Sequence, residues 1–259
     1  MSRRYPTASE FAVSPYDPIV ETDFFRRIVL ANGSFKTTVA RRLDDLNRAV
    51  LPYVQAVSAR PVEIMDAASS SGISTQEWYD DLQAAGIEAR IVGTDLSIEA
   101  LHVPGKLADV LLDKDFNVIH LSLLGGSMHP RVLKGLRATG LSRLLRTGGA
   151  KAQPFRLVSK AVRTVTLVES DIEADVRDFD QRFHVIRVAN ILNRGYFADE
   201  QLRHMVSCVA RKLRPGGMLI VCRTHDDKSN HATLFRLEGS RLMVLRRLGR
   251  GSEVEGLLS

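Results

Sequence analysis

The sequence predicts an α/β protein carrying a doubly wound, mostly parallel sheet that ends in an antiparallel hairpin. Three observations predict it. An apolar run, Val62 to Met65, ends at Asp66 and enters the small-residue turn Ala67-Ala68-Ser69-Ser70-Ser71-Gly72. A helical stretch and a second apolar strand ending at Asp95 follow, which completes one βαβ unit. Further on, Leu202, Met205, Val206, Val209, Ala210 and Leu213 form one apolar helical stripe ahead of the strand Met218 to Cys222.

Each element has a local cause. Residues 1–22 hold Pro6, Pro15 and Pro18 with little periodicity and read as an extended arm. From Ser34, a fitting N-cap, Val39, Leu43, Leu46, Val50 and Val54 recur at helical spacing, with Pro52 as a break or kink near the end. Ser74-Thr75-Gln76-Glu77 has the capping-box pattern for the helix after the turn, and Gly86 closes that helix. A β-branched run, Thr164 to Val168, leads to Glu169-Ser170-Asp171-Ile172, and Phe183 to Val188 leads to Ala189-Asn190. Arg214-Pro215-Gly216-Gly217 stops the striped helix, and the segments flanking Glu238-Gly239-Ser240 read as a hairpin. Between Leu101 and Arg163 lies an insertion, a hairpin (Val110 to Leu112, Val118 to Leu121) followed by a basic helical segment, expected to cap the site. The expected organisation is an arm and helix over 1–60 and a domain over 61–259, with the inserted cap at about 102–163.

Composition narrows the class. The 259 residues are 44% hydrophobic and 25% charged, as expected of a globular chain with a sizeable core. No apolar run approaches the roughly 20 residues of a spanning helix, and the first residues lack the apolar stretch of a signal peptide, so the default expectation is cytoplasmic. Cys208 and Cys222 read as small buried apolar residues on a helix and a strand, and no metal-binding spacing is present. The net charge of +6 is concentrated: Arg131 to Arg163 carries nine Lys or Arg and no acid. That stretch reads either as a solvated helix face or as a surface for an anionic substrate or a membrane, and its charge permits nucleic acid.

The edge formed by the strand ends suits a nucleoside ligand. The turn Ala67 to Gly72 has side chains small enough for backbone to approach a ligand closely. Asp95 lies 23 residues past Gly72, near the spacing at which dinucleotide folds place the acid that takes both ribose hydroxyls. Leu96 follows it. Asp171, with Glu169 as rival, suits the adenine amino group, and Ile172 suits the ring face.

Phe183-His-Val-Ile-Arg-Val-Ala-Asn190, Tyr196-Phe197, and above all Leu213-Arg-Pro-Gly-Gly-Met-Leu-Ile-Val221 resemble the second half of class I S-adenosylmethionine (SAM)-dependent methyltransferases, which have a Rossmann-like fold. The alanine–serine–glycine turn, the insertion before the third strand and the stretch Asn190 to Phe197 are similar to the chemotaxis-receptor (CheR-type) branch. Over residues 61–225 the resemblance implies SAM as cofactor, with Asp66, Ala67, Ala68, Ser69, Ser70 and Gly72 around its turn, Asp95 on the ribose, and Asn190 and Ile191 beside it. The chain departs from that branch in its shorter N-terminal part and its basic insertion, which separates the expected activity from a receptor-glutamate substrate. Methyl transfer is an in-line displacement that positioning and desolvation can carry without a protein nucleophile. Asn190, Asn193, Arg194 and Tyr196 are placed to face the methyl group and acceptor, with His225 or His120 as base if the acceptor needs one. Two other readings share these residues: a catalytically silent SAM-binding module whose cap docks a partner, and an NAD-dependent oxidoreductase, which the missing G-x-G-x-x-G disfavours.

Overall fold

A computed structural model describes residues 5–30, 33–37, 39–137 and 152–258. They belong to two compact units: one comprises 1–40 with 97–162, the other 41–96 with 163–259.

The first unit is built on a five-stranded antiparallel sheet in the order β6-β5-β4-β3-β7. Its strands are β3 (Glu99–Val103), β4 (Ala108–Leu112), β5 (Val118–Leu123), β6 (Gly126–Ser127) and β7 (Gln153–Arg156). The hairpin expected over 110–121 is β4 and β5. The arm, by contrast, is helical. α1 (Ala8–Val13) starts at Thr7, whose hydroxyl accepts the Glu10 N–H while Glu10 returns the bond, a reciprocal cap that Thr7-x-x-Glu10 spells out. α2 (Pro18–Phe25) starts at Asp17, whose carboxylate accepts from Ile19 and Val20, with Pro18 at the first helical position. The prolines that suggested an extended arm therefore punctuate two short helices. These helices bury Phe11, Phe24 and Phe25 with Ile119, Phe155 and Leu157, and the Phe11 and Phe24 rings stack at 4.1 Å.

α5 (Pro130–Arg137) brings Leu133 into a second cluster with Val110, Leu112, Val118 and Leu121. The expected basic helical segment is thus helical to residue 137 and becomes strand β7 at 153, where the stretch pairs with β3. Its part over 138–151 lies outside the described residues.

The second unit holds the predicted sheet. Its seven strands run in the order β12-β11-β10-β9-β1-β2-β8. They are β1 (Val62–Ala67), β2 (Ala89–Asp95), β8 (Thr166–Glu169), β9 (Phe183–Ala189), β10 (Leu213–Thr224), β11 (Asn230–Glu238) and β12 (Arg241–Leu248). The five from β8 to β10 are mutually parallel, and β11 and β12 add the antiparallel hairpin. In chain order the parallel strands lie 3-2-1-4-5, so the order reverses between β1 and β9, the point at which doubly wound sheets open a crevice at their carboxyl ends.

Three helices cover this sheet: α3 (Asp44–Gln55), α4 (Ile73–Ala84) and α6 (Asp199–Arg211). On one face Met65, Ala67, Ile186, Val188, Leu219 and Val221 pack against the predicted stripe of α6. Strand alternation turns Asp66 and Arg187 to the opposite face, toward α3 and α4.

Three local expectations change. The helix expected from Ser34 begins at Asp44, and Pro52 is accommodated inside its last turn. Ser74 does not cap α4. Gly72 occupies the cap position at φ 80°, so Ser74 lies within the first turn, and Glu77 accepts the Arg41 N–H instead. Arg214 to Gly217, expected as a turn, is an irregular start of β10, with a register shift between Leu213 and Met218. A Cβ on Gly217 would lie 2.8 Å from the Arg214 carbonyl oxygen and 3.2 Å from that of Phe183, so this bulge requires glycine.

Candidate functional site

Three strand ends meet in register at the reversal point. Ala67, the last residue of β1, pairs with Thr94 on one side and Val188 on the other. The turn after β1, Asp95 and Asn190 consequently emerge side by side on the carboxyl edge.

The turn is wound tightly. Ala68, Ser70 and Gly72 have φ of 57°, 57° and 80°, so alternate residues are left-handed, two of them without glycine's freedom. Such conformations cost on the order of 1–2 kcal/mol for each L-residue and persist where surrounding bonds enforce them. Here β2 enforces them: the Ser69 N–H donates to the Thr94 carbonyl (2.8 Å), and the Ser70 N–H donates to Asp95 Oδ2 (2.8 Å). The predicted neighbourhood of the turn and Asp95 is therefore a direct hydrogen bond. Gly93 makes the approach possible, because a Cβ there would meet Leu167 Cδ2 at 2.5 Å and the Ser69 side chain at 3.1 Å. The Ser69 hydroxyl is buried and has no hydrogen-bond partner among the described residues.

Asp66 was grouped with this turn, but it serves an internal network. Its Oδ1 accepts from Arg187 Nε (2.8 Å), and its Oδ2 accepts from Arg187 Nη2 (2.7 Å) and the Thr75 hydroxyl (2.5 Å). The two residues face each other in register on β1 and β9, with Arg187 wholly buried and Asp66 3% exposed. Arg187 also donates to Asn47 Oδ1 (2.7 Å) and the Ser74 carbonyl (3.0 Å), and its guanidinium lies 4.2 Å from the Trp78 ring centre. Arg42 and Glu77 complete this charged layer. Burial lowers the Arg42 pKa and raises that of Glu77 to about 7. Arg187 has a signal in the sequence: an arginine amid Val185-Ile186 and Val188 at an inward strand position is a readable sign of a buried partner.

The remaining predicted residues spread along the edge. Asp171 follows Ser170, whose N–H donates to the Asp95 carbonyl (2.9 Å), and its own carboxylate accepts the Glu173 N–H (2.9 Å). Glu169 lies opposite Asp95 in register. Ile172 and Ile191 are partly buried against the core on the α6 side, and Leu96 is partly exposed at the end of β2.

Asn190 is left-handed at φ 67°, and its amide bridges to β10, accepting the Thr224 N–H (2.7 Å) and donating to the Thr224 hydroxyl (3.3 Å). Asn193 is buried and shapes the next turn, accepting the Gly195 N–H at 3.1 Å. Both asparagines, read as facing the acceptor, have amides occupied in holding this corner. Arg194 pairs with Asp199, and Tyr196 is 67% exposed beside Phe197.

His225 follows β10, with its ring 4.3 Å from that of His231. His120 belongs to the core of the five-stranded sheet, a correction to its reading as a base. It is fully buried, and burial pushes its pKa down to about 4, which holds it neutral against Ser127 Oγ at 3.1 Å. Among the described residues no group of three or more His, Cys, Asp or Glu could hold a metal ion, and no helix is long and apolar enough to cross a membrane. Cys208 and Cys222 are both buried free thiols.

The strand order and the wound turn define a Rossmann-like doubly wound unit whose strand order reverses between β1 and β9. No family model and no curated protein matches the chain. Solved structures that overlap it include the methyltransferase domain of the citrinin polyketide synthase, at 14% identity and TM-score 0.38 over 70% of this chain and 34% of that one. The CurJ carbon methyltransferase overlaps at 15% identity and TM-score 0.39, over 82% of this chain and 40% of that one. A protein from Pyrococcus horikoshii OT3 overlaps at 15% identity and TM-score 0.38, over 85% and 81%. The chain spans between a third and two-fifths of the length of the first two. Likeness at this level carries no argument about activity or substrate, which rest on this chain's own residues.

Proposed function

We propose that the second unit binds S-adenosylmethionine at the carboxyl edge of β1, β2 and β9 and that the protein transfers its methyl group to an acceptor. The observation that carries this is the Asp95 carboxylate locked onto the left-handed turn by the Ser70 N–H, at the strand reversal where nucleoside ligands bind. The residues fit the group. Asp95 offers a carboxylate to the ribose hydroxyls, the Ser69 hydroxyl is an unmatched buried donor, and Gly93 lets the turn sit close against β2. Asp171 and Ile172 suit the adenine end. Bound SAM would supply an electrophilic methyl on a sulfonium. The chain's part is to orient that methyl and exclude water, which needs no protein nucleophile.

Asp66 enters this proposal as a positioning residue: with Arg187 it ties β1 to β9 directly beneath the turn. Within the class, the turn composition and the Asn190 to Phe197 stretch favour the chemotaxis-receptor branch, while the basic 131–163 stretch favours an anionic or lipid-proximal acceptor. Incubation with methyl-tritiated SAM and a panel of carboxylate, phosphate and lipid acceptors tests the activity. Label transferred to an acceptor, with S-adenosylhomocysteine released, supports it. SAM binding with no transfer to any acceptor would favour the catalytically silent module.

A further inference from the structure

We propose that the free edge of β12 receives an extended acidic segment of another protein as an added strand. β12 ends the seven-stranded sheet, and among the described residues nothing pairs with its outer side, so its outward N–H and C=O groups form a template for a further strand. The strand is eight residues long, above the usual length for an edge that a fold leaves bare. Its centre is apolar and open, with Met243, Val244 and Leu245 exposed by 49%, 40% and 37%.

Charge selects the occupant. Arg241, Arg246 and Arg247 lie on β12 and Arg250 just beyond, and β12 carries no acid. Glu255 holds Arg247, and Glu238 stands opposite Arg241, which leaves Arg246, Arg250 and the neighbouring Arg236 in excess. Arg246 lies by Tyr53, which supplies no charge to offset it. Pairing two copies edge to edge would bring two such excesses together, so the arginines oppose self-association and favour a strand that carries carboxylates. The bulge at Leu245 brings Arg246 to the face of Arg241, so a strand of acids alternating with apolar residues would reach Arg241 and Arg246 on one face while covering Val244 on the other.

The test uses the full chain and a fluorescein-labelled peptide of about eight residues alternating valine and glutamate. Polarisation is expected to show saturable binding that weakens as salt is raised. Binding should be about tenfold weaker or worse in R241E/R246E, whose fold is checked by the emission of the buried Trp78. A peptide with proline at two central positions, unable to supply ladder N–H groups, should fail to bind. Equal binding of the proline peptide would overturn strand addition, as would equal binding of a lysine-for-glutamate peptide. Unchanged affinity in R241E/R246E, or sedimentation showing a dimer that excludes the peptide, would also overturn the proposal.

Discussion

Replacing Arg187 with methionine removes the guanidinium and keeps most of the side-chain volume. Four hydrogen bonds go with it: two to Asp66, one to Asn47 Oδ1 and one to the Ser74 carbonyl. Asp66, 3% exposed, would then keep the Thr75 hydroxyl as its side-chain partner on this face. An unmatched buried charge of this kind costs about 3–5 kcal/mol, a large fraction of the roughly 5–15 kcal/mol that holds a domain folded. In a unit built from residues 41–96 and 163–259, that corresponds to a fall in Tm of about 6–20 °C. Trp78 is the sole tryptophan and lies on the guanidinium, so urea unfolding followed by its emission reports on this site directly. Asp66→Asn combined with Arg187→Met removes the stranded charge and should recover about 2 kcal/mol or more of the loss. A single-mutant loss below about 1 kcal/mol, or a double mutant no better than the single, would refute the view that this pair fastens β1 to β9.

Gly93→Ala should destabilise by about 1–3 kcal/mol in urea unfolding and weaken any ligand of the Ser69 turn, since the new methyl would collide with Leu167 and Ser69. Glu77 has its folded pKa raised from 4.5 to about 7, so its contribution is full below pH 4.5 and is lost as pH rises through 7. Glu77→Gln should therefore be more stable than the parent at pH 8 and closer to it at pH 4.5, read from melting curves at both values. His120 has the opposite sign: its folded pKa is lowered from 6.5 to about 4, so stability is full above 6.5 and falls as pH drops through that window toward 4. His120→Gln should flatten that acid limb in a pH series of unfolding midpoints.

Much of the second unit was readable because its signals are local. The strand ends at Asp95 and Ala189, the α6 stripe and the tail hairpin each follow from apolar periodicity bounded by turn residues, while β1 runs on to Ala67, the first residue of the expected turn. The Asp95–turn contact followed from the right-handed βαβ crossover, which puts both strand ends on one edge, together with the spacing of the acid. What escaped depends on contacts between residues distant in sequence. Asp66 looks like a ligand residue until Arg187, 121 positions away, is known to face it. Asn190 looks like a group facing the acceptor until Thr224, 34 positions away, occupies its amide. In the first unit, Thr7-x-x-Glu10 and Asp17-Pro18 were helix starts in plain view, but three prolines in a short stretch outweighed them. His120 sits in a strand whose alternation was too short to show that both its faces are covered.

Isothermal titration of S-adenosylmethionine into the parent chain and Asp95→Ala bears most directly on the central claim, that the Asp95 carboxylate and the 67–72 turn together hold the cofactor. Saturable binding to the parent is predicted, weakened in the variant by about 1–3 kcal/mol, or roughly 5- to 150-fold, as expected for hydrogen bonds to a charged group. The same affinity in both proteins, or no binding to a parent chain whose Trp78 emission shows it folded, would contradict it.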